Sequence, residues 1–94
     1  MPEQRFHLIA DVRSDDPAAI EPLLRRLVAG QIAHIGDGFH IEADMTGATA
    51  RDLNRSLLSA LRRVERRTRL RAEWTAAGVT QRYFDYVPLV ARRP

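Results

Sequence analysis

An α+β fold is predicted by three features of the sequence: its length, its composition and its alternation between two hydrophobic periods. The chain has 94 residues, of which 45% are hydrophobic and 29% charged, values typical of one folded domain. Apolar residues recur with the period of two that strands show and, in two segments, with the period of 3.6 that helices show. We expect a single α+β domain over residues 1–88 and a frayed C-terminal tail over residues 89–94.

The first quarter of the chain predicts a strand followed by a helix. Residues 5 to 13 alternate between apolar and polar side chains, as expected for a strand with one buried face. The apolar residues from Ile20 to Val28 are spaced as on one face of a helix, which begins at Pro17 and is followed by Gly30.

A hairpin is predicted for residues 31 to 45, with Gly36-Asp37-Gly38 as its three-residue loop. This loop pairs His34 with His40 across the hairpin, while the apolar pairs lie on the other face. We therefore expect two imidazoles side by side on one surface of the sheet.

The second half of the chain predicts a long helix and a final hairpin. Thr49 is expected to cap the helix, because a hydroxyl at this position accepts hydrogen bonds from backbone N–H groups of the first turn. The pattern then returns to a period of two, and a register that pairs Leu70 with Phe84 on the core side follows from the three-residue loop predicted at Ala76-Ala77-Gly78. A loop of only the last two of these residues, which pairs Glu73 with Arg82, is the alternative.

The predicted order β-α-β-β-α-β-β contains a split βαβ unit twice and resembles a ferredoxin-like two-layer sandwich. Right-handed crossovers then give the sheet order 5-4-1-3-2 with both helices on one face. The last strand is expected to run from Val79 to Val87 and to end at Pro88. Because this fold hosts many unrelated functions, function must be argued from side chains.

The composition excludes several classes of site. Cysteine is absent, which removes disulfides, thiolate metal ligands and thiol nucleophiles. No apolar run approaches the ~18 residues of a membrane span, and the N-terminus has no apolar signal core, so we expect a cytoplasmic protein without membrane contact. No nucleophile motif or Gly-rich phosphate loop is present. A binding domain without a cofactor is therefore expected rather than an enzyme.

The chain is rich in arginine, which supplies all of its 15 basic residues and a net charge of +3. Arginine binds phosphate in bidentate fashion, but a GC-rich genome also favours it. A stripe of four arginines is predicted on the outer side of the second helix and makes nucleic-acid binding one alternative function. The four residues are Arg51, Arg55, Arg62 and Arg66.

The sheet face opposite the helices is the surface where function is expected first. It mixes apolar and charged side chains, as wet symmetric interfaces do, so we expect a homodimer formed through this face or through the edge of the last strand. The candidates are Ile9, Ile32, Arg71, Val79, Tyr83 and Val87. The same face is expected to hold His7, His34 and His40, which with nearby carboxylates make a metal or small-molecule site a further alternative.

Overall fold

A computed structural model describes residues 3–89 as a six-stranded antiparallel sheet and two helices, which confirms the predicted α+β class. The elements are β1 (Gln4–Arg13), α1 (Pro17–Leu27), β2 (Gly30–Ile35), β3 (Gly38–Gly47), α2 (Ala50–Val64), β4 (Arg69–Ala76), β5 (Val79–Phe84) and β6 (Val87–Leu89). The strands are arranged in the order β2-β3-β1-β4-β5-β6. Of the predicted tail, Leu89 belongs to β6, and residues 90–94 lie outside the described residues.

The predicted five-stranded ferredoxin-like sheet in the order 5-4-1-3-2 does not match this arrangement, because the sheet has a sixth strand. The segment from Val79 to Val87 is interrupted by a turn at Asp85 and Tyr86, and the chain then pairs back on β5 as β6. Pro88 lies within β6 and not after the last strand. Proline is tolerated there because β6 is an edge strand, where the missing N–H group removes no hydrogen bond to a second neighbouring strand.

One hydrophobic core lies between the sheet and both helices. Leu8 on β1, Leu24 on α1, Leu61 on α2 and Trp74 on β4 are all fully buried in it. Every second residue of the central strands contributes to this core, so the helices cover one face of the sheet and leave the other to solvent.

The helix N-termini agree with the sequence prediction. The Thr49 hydroxyl accepts a hydrogen bond from the Asp52 backbone N–H at 3.0 Å. Asp16 caps α1 by accepting from the Ala19 backbone N–H at 3.3 Å, and Pro17 follows as the first helical residue. Each cap satisfies an N–H group that has no partner inside the helix.

The turn between β2 and β3 is one residue shorter than predicted. Ile35 pairs with Gly38, so the turn consists of Gly36 and Asp37, with Gly36 at a φ of +55°. Gly38 serves the strand and not the turn: a Cβ atom there would lie 1.8 Å from the Val12 carbonyl oxygen. The close approach of β1 therefore explains this glycine, and the register of β2 moves by one residue.

The turn between β4 and β5 is the two-residue turn Ala77-Gly78, the shorter of the two predicted loops. Ala77 and Gly78 both have positive φ, of 52° and 78°, as the central residues of a type I′ turn require. Glu73 therefore pairs with Arg82, which is the alternative register, and the three-residue loop is wrong. The pairing of β4 with β5 begins at Arg71, which lies opposite Phe84, so Leu70 has no partner on β5.

Candidate interaction face

The sheet surface opposite the helices, here called the open face, is built from the residues that alternate with the core. Residues paired directly across antiparallel strands project to the same side, so the strand registers define its membership. Its central strands contribute Arg5, His7, Ile9, Asp11 and Arg13 from β1, His40, Glu42 and Asp44 from β3, and Arg69, Arg71, Glu73 and Thr75 from β4. The outer strands add Gln31, Ala33 and Ile35 from β2, Thr80, Arg82 and Phe84 from β5, and Val87 and Leu89 from β6.

Half of the predicted face residues lie on the open face. Ile9, Arg71 and Val87 are there, whereas the one-residue shifts of both hairpins move the other three to the helix side. Ile32 packs partly against the core. Tyr83 is only 4% exposed. The sixth candidate, Val79, pairs with Ala76 at the turn.

The three histidines do not converge. His34 lies on the helix side, with its ring 5.1 Å from that of Phe39, so the predicted pairing with His40 is wrong. His7 and His40 lie on the open face, but on different strands and with separate carboxylate partners. Among residues 3–89, no group of three or more His, Asp or Glu side chains is arranged to hold a metal ion.

Each open-face histidine is hydrogen-bonded to a carboxylate. His40 Nδ1 lies 2.8 Å from Asp11 Oδ1, and His7 Nδ1 lies 2.9 Å from Asp44 Oδ1. The hydrogen bond with Asp44 is the main reason why the pKa of His7 is raised, and the nearby charge of Glu42 raises it further. The same hydrogen bond lowers the pKa of Asp44. These contacts stabilise the cationic form of His7 relative to the neutral form.

A cleft at one end of the open face contains three arginines and an aromatic ring. The guanidinium carbons of Arg69 and Arg71 lie 5.1 and 5.5 Å from the centre of the Phe84 ring, within cation–π range. Arg13 lies beside Arg69 across β1 and β4. The cleft, of about 530 Å³, is closed on its far side by Ile35 and the β2–β3 turn. Among the described residues, Arg13 and Arg71 have no ion-pair partner.

Two neighbouring rows of the open face place unlike side chains beside each other on several strands. The Asp11 row consists of Ala33, His40, Asp11, Arg71, Phe84 and Val87, and the Ile9 row consists of Gln31, Glu42, Ile9, Glu73, Arg82 and Leu89. On β3 and β4, a basic residue of the Asp11 row stands beside a glutamate of the Ile9 row. On β5, an aromatic residue stands beside an arginine.

The four arginines of the predicted α2 stripe do not form one continuous exposed surface. Arg66 lies beyond the end of the helix. Arg62 is only partly exposed and contacts other parts of the domain. Its Nε donates to the Thr68 carbonyl at 2.8 Å, and its guanidinium lies 5.3 Å from the centre of the Tyr86 ring. Only Arg51 and Arg55 remain as exposed arginines on this side of the helix.

The free edges of the sheet are also displaced from their predicted position. Because β6 covers β5, the edge strands are β2 and the three-residue β6. The predicted use of the β5 edge for strand addition is therefore wrong. Nearly every residue of β2 is exposed, which leaves its six-residue edge accessible.

Phe84 and Arg13 are open-face residues that the sequence did not single out. Phe84 was predicted to pair with Leu70 on the core side, and only the choice between two loop lengths decides its face. No signal in the sequence decides it, because Ala77 has a positive φ, which its residue type does not predict.

Comparisons of the chain with protein-family models, with curated proteins and with solved structures give no match. In residues 3–89, neither helix has the length and apolar character needed to cross a membrane. The geometry of the open face and of the surface around α2 therefore carries the functional argument.

Proposed function

We propose that this protein is a small interaction domain that self-associates face to face, as a two-fold symmetric homodimer formed by its open face. The proposal is carried by the charge pattern of the Asp11 row and the Ile9 row. In this dimer the two-fold axis runs parallel to the two rows and midway between them. Each residue of the Asp11 row then faces a residue of the Ile9 row on the second copy. The two facing residues belong to the same strand and are two positions apart in the sequence.

This arrangement brings unlike groups together at several positions. Arg71 of one copy faces Glu73 of the other, His40 faces Glu42, and Phe84 faces Arg82. Each contact occurs twice because of the symmetry. The open face carries five arginines and four carboxylates, so its formal charge is close to neutral. Complementary charge of this kind fixes register and partner more than it adds affinity.

Apolar side chains of the open face supply the hydrophobic surface that would be buried in the dimer. Ile9 and Phe84 are each 38% exposed, and Leu89 and Val87 are 50% and 60% exposed. The six strands lie about 4.8 Å apart, and the two longest have ten residues rising about 3.3 Å each, so the face measures at most about 24 by 33 Å, close to the roughly 800 Å² per partner of a standard interface. Twisted sheets stack at an angle of about 30°, so the contacts on the central strands align best. The critical pair is therefore Arg71 with Glu73.

The experiment is a charge exchange measured by size-exclusion chromatography with light scattering. The wild-type chain should have twice its monomer mass of 10.7 kDa. Arg71→Glu and Glu73→Arg should each give monomers, because each sets like charges together twice in the dimer. The double variant Arg71→Glu/Glu73→Arg should restore the dimer. Circular dichroism checks that all variants fold, as expected for side chains that face solvent in the monomer.

The matched control is Arg26→Glu, the same charge reversal on an exposed residue of α1. It should leave the dimer intact. A monomeric wild type at about 100 µM, or a wild-type dimer that neither single reversal weakens, would contradict face-to-face association. A double variant that remains monomeric would reject the proposed register.

A further inference from the structure

The helix side of the sheet carries a groove beside α2, because two helices are too narrow to cover six strands. Helices pack 8–10 Å apart and strands about 4.8 Å apart, so two helices cover about four strands. The strands β5 and β6 therefore form a partly covered shelf beside α2, on which Tyr83 is 4% exposed and Val79 is 60% exposed. The groove between them has a volume of about 260 Å³ and is lined by Arg51, Asn54, Arg55, Ser59, Tyr83 and Tyr86.

The shelf side of the groove is fixed by the turn between β5 and β6. Asp85 has a φ of 56°, a left-handed conformation that is unfavourable for a residue other than glycine. Its carboxylate accepts from the Leu70 backbone N–H at 2.9 Å and from Arg69 Nε at 2.9 Å, while its carbonyl accepts from Asn54 Nδ2 at 2.8 Å. Contacts from two elements, β4 and α2, thus hold this turn in one conformation.

The same turn presents an aromatic residue to the groove. Tyr86 is 45% exposed, and its hydroxyl lies 3.1 Å from Ser59 Oγ on α2. The guanidinium of Arg62 lies against its ring. Ring and hydroxyl are therefore positioned by contacts with α2, and part of the ring remains open to solvent.

The helix side of the groove carries two guanidinium groups whose charge is not neutralised by a neighbour. Arg51 and Arg55 are one helical turn apart, about 6 Å along the axis. Neither forms an ion pair with a carboxylate among residues 3–89. Asp85, which precedes Tyr86 in the turn between β5 and β6, already pairs with Arg62 and Arg69. Two adjacent guanidinium groups beside a tyrosine hydroxyl present hydrogen-bond donors to an anion.

We propose that this groove binds a phosphate ester, with Arg51 and Arg55 contacting the phosphate oxygens and Tyr86 contacting the group attached to the phosphate. Guanidinium groups bind phosphate in bidentate fashion, and a tyrosine ring offers a stacking surface for a base or another planar group. The groove lies on the opposite side of the sheet from the open face, so it stays accessible in the proposed dimer.

The experiment is a titration of the full, ¹⁵N-labelled chain, followed by two-dimensional NMR, with inorganic pyrophosphate as the first probe. Saturable amide shifts should cluster at the first two turns of α2 and at Tyr86. Arg51→Gln/Arg55→Gln should weaken binding at least tenfold. The matched control, Arg63→Gln/Arg66→Gln, removes the same charge from exposed positions outside the groove and should change the affinity less than twofold.

A second probe, a ten-nucleotide thymidine strand, distinguishes the two sources of a phosphate ester. If the strand saturates the groove at lower concentration than pyrophosphate, with the same dependence on Arg51 and Arg55, the source is a nucleic-acid backbone. If pyrophosphate binds as tightly as the strand, the source is a small phosphate compound. Shifts that never saturate with either probe, or an equal loss of affinity in the control variant, would overturn the proposal.

Discussion

The buried side chain of Asn54 joins α2 to the turn between β5 and β6 and to the core. Its Nδ2 donates to the Asp85 carbonyl at 2.8 Å, and its Oδ1 accepts from the Trp74 indole N–H at 3.2 Å. Asn54 is 1% exposed. An amide can satisfy a donor and an acceptor together, so this one residue lets Trp74 be buried and the turn be fixed.

Replacing Asn54 with leucine should destabilise the domain by about 2–3 kcal/mol, because the Trp74 N–H and the Asp85 carbonyl each lose a buried partner. Urea denaturation followed by circular dichroism measures the change. Ser56→Ala, on the exposed side of the same helix, is the control and should stay within about 0.5 kcal/mol of wild type. A loss below about 1 kcal/mol for Asn54→Leu would show that the bridge is dispensable.

Asp85 should tolerate asparagine better than alanine. Asparagine keeps an acceptor for the Leu70 N–H and accepts a positive φ more readily, whereas alanine loses every side-chain bond and keeps the unfavourable conformation. We expect Asp85→Ala to lower the free energy of unfolding by about 2 kcal/mol and Asp85→Asn by about half as much. Equal losses for the two variants, in the same denaturation experiment, would argue against a role for the Leu70 contact.

The turn between β4 and β5 should be improved by asparagine at residue 77. Ala77 has a φ of 52°, and asparagine followed by glycine is the preferred pair of a type I′ turn. Ala77→Asn should stabilise the domain by about 0.5–1 kcal/mol and raise Tm by a few degrees. The contrasting variant Gly78→Ala, at a φ of 78°, should lower Tm. Calorimetry on both variants measures whether Tm rises for Ala77→Asn and falls for Gly78→Ala.

Stability should depend on pH through His7. Its pKa is raised mainly by the hydrogen bond with Asp44, so protonated His7 stabilises the folded state. This contribution is fully present below the ordinary histidine pKa of about 6.5 and is lost as the pH rises through the raised value. The difference in Tm between wild type and His7→Gln should be larger at pH 5.5 than at pH 8.5.

Histidine 34 provides the control for that measurement. His34 contacts Phe39 and has no carboxylate partner among the described residues. His34→Gln should therefore leave the Tm difference from wild type unchanged between the two pH values. If His7→Gln behaves in the same way as His34→Gln, the ion pair with Asp44 makes no contribution to stability in solution.

A charge at the centre of the open face should prevent self-association. In the proposed dimer Ile9 faces Asp11 of the second copy, so Ile9→Asp both removes apolar contact and sets two carboxylates together. Light scattering should report the monomer mass for this variant. The conservative Ile9→Val should remain dimeric, and a dimeric Ile9→Asp would contradict the proposed interface.

The sequence by itself determined the α+β class, the two helix N-termini, the core positions of β1 and most of those of α1, where Leu27 is 38% exposed. These follow from hydrophobic periods and caps, which act within a few residues along the chain. Thr49 and Pro17 are examples, since each defines its helix end through neighbours one turn away.

Only the tertiary structure decided which side chains share the open face. Gly38 looked like a turn residue, but the backbone of Val12 on a distant strand is what excludes a side chain there. Asp85 interrupts the last strand because Asn54, Leu70 and Arg69, all distant in sequence, bind it. A shift of one residue at either hairpin reverses every side chain of a strand. The physical reason is that strand register is set by contacts between segments far apart in the chain, which local patterns do not encode.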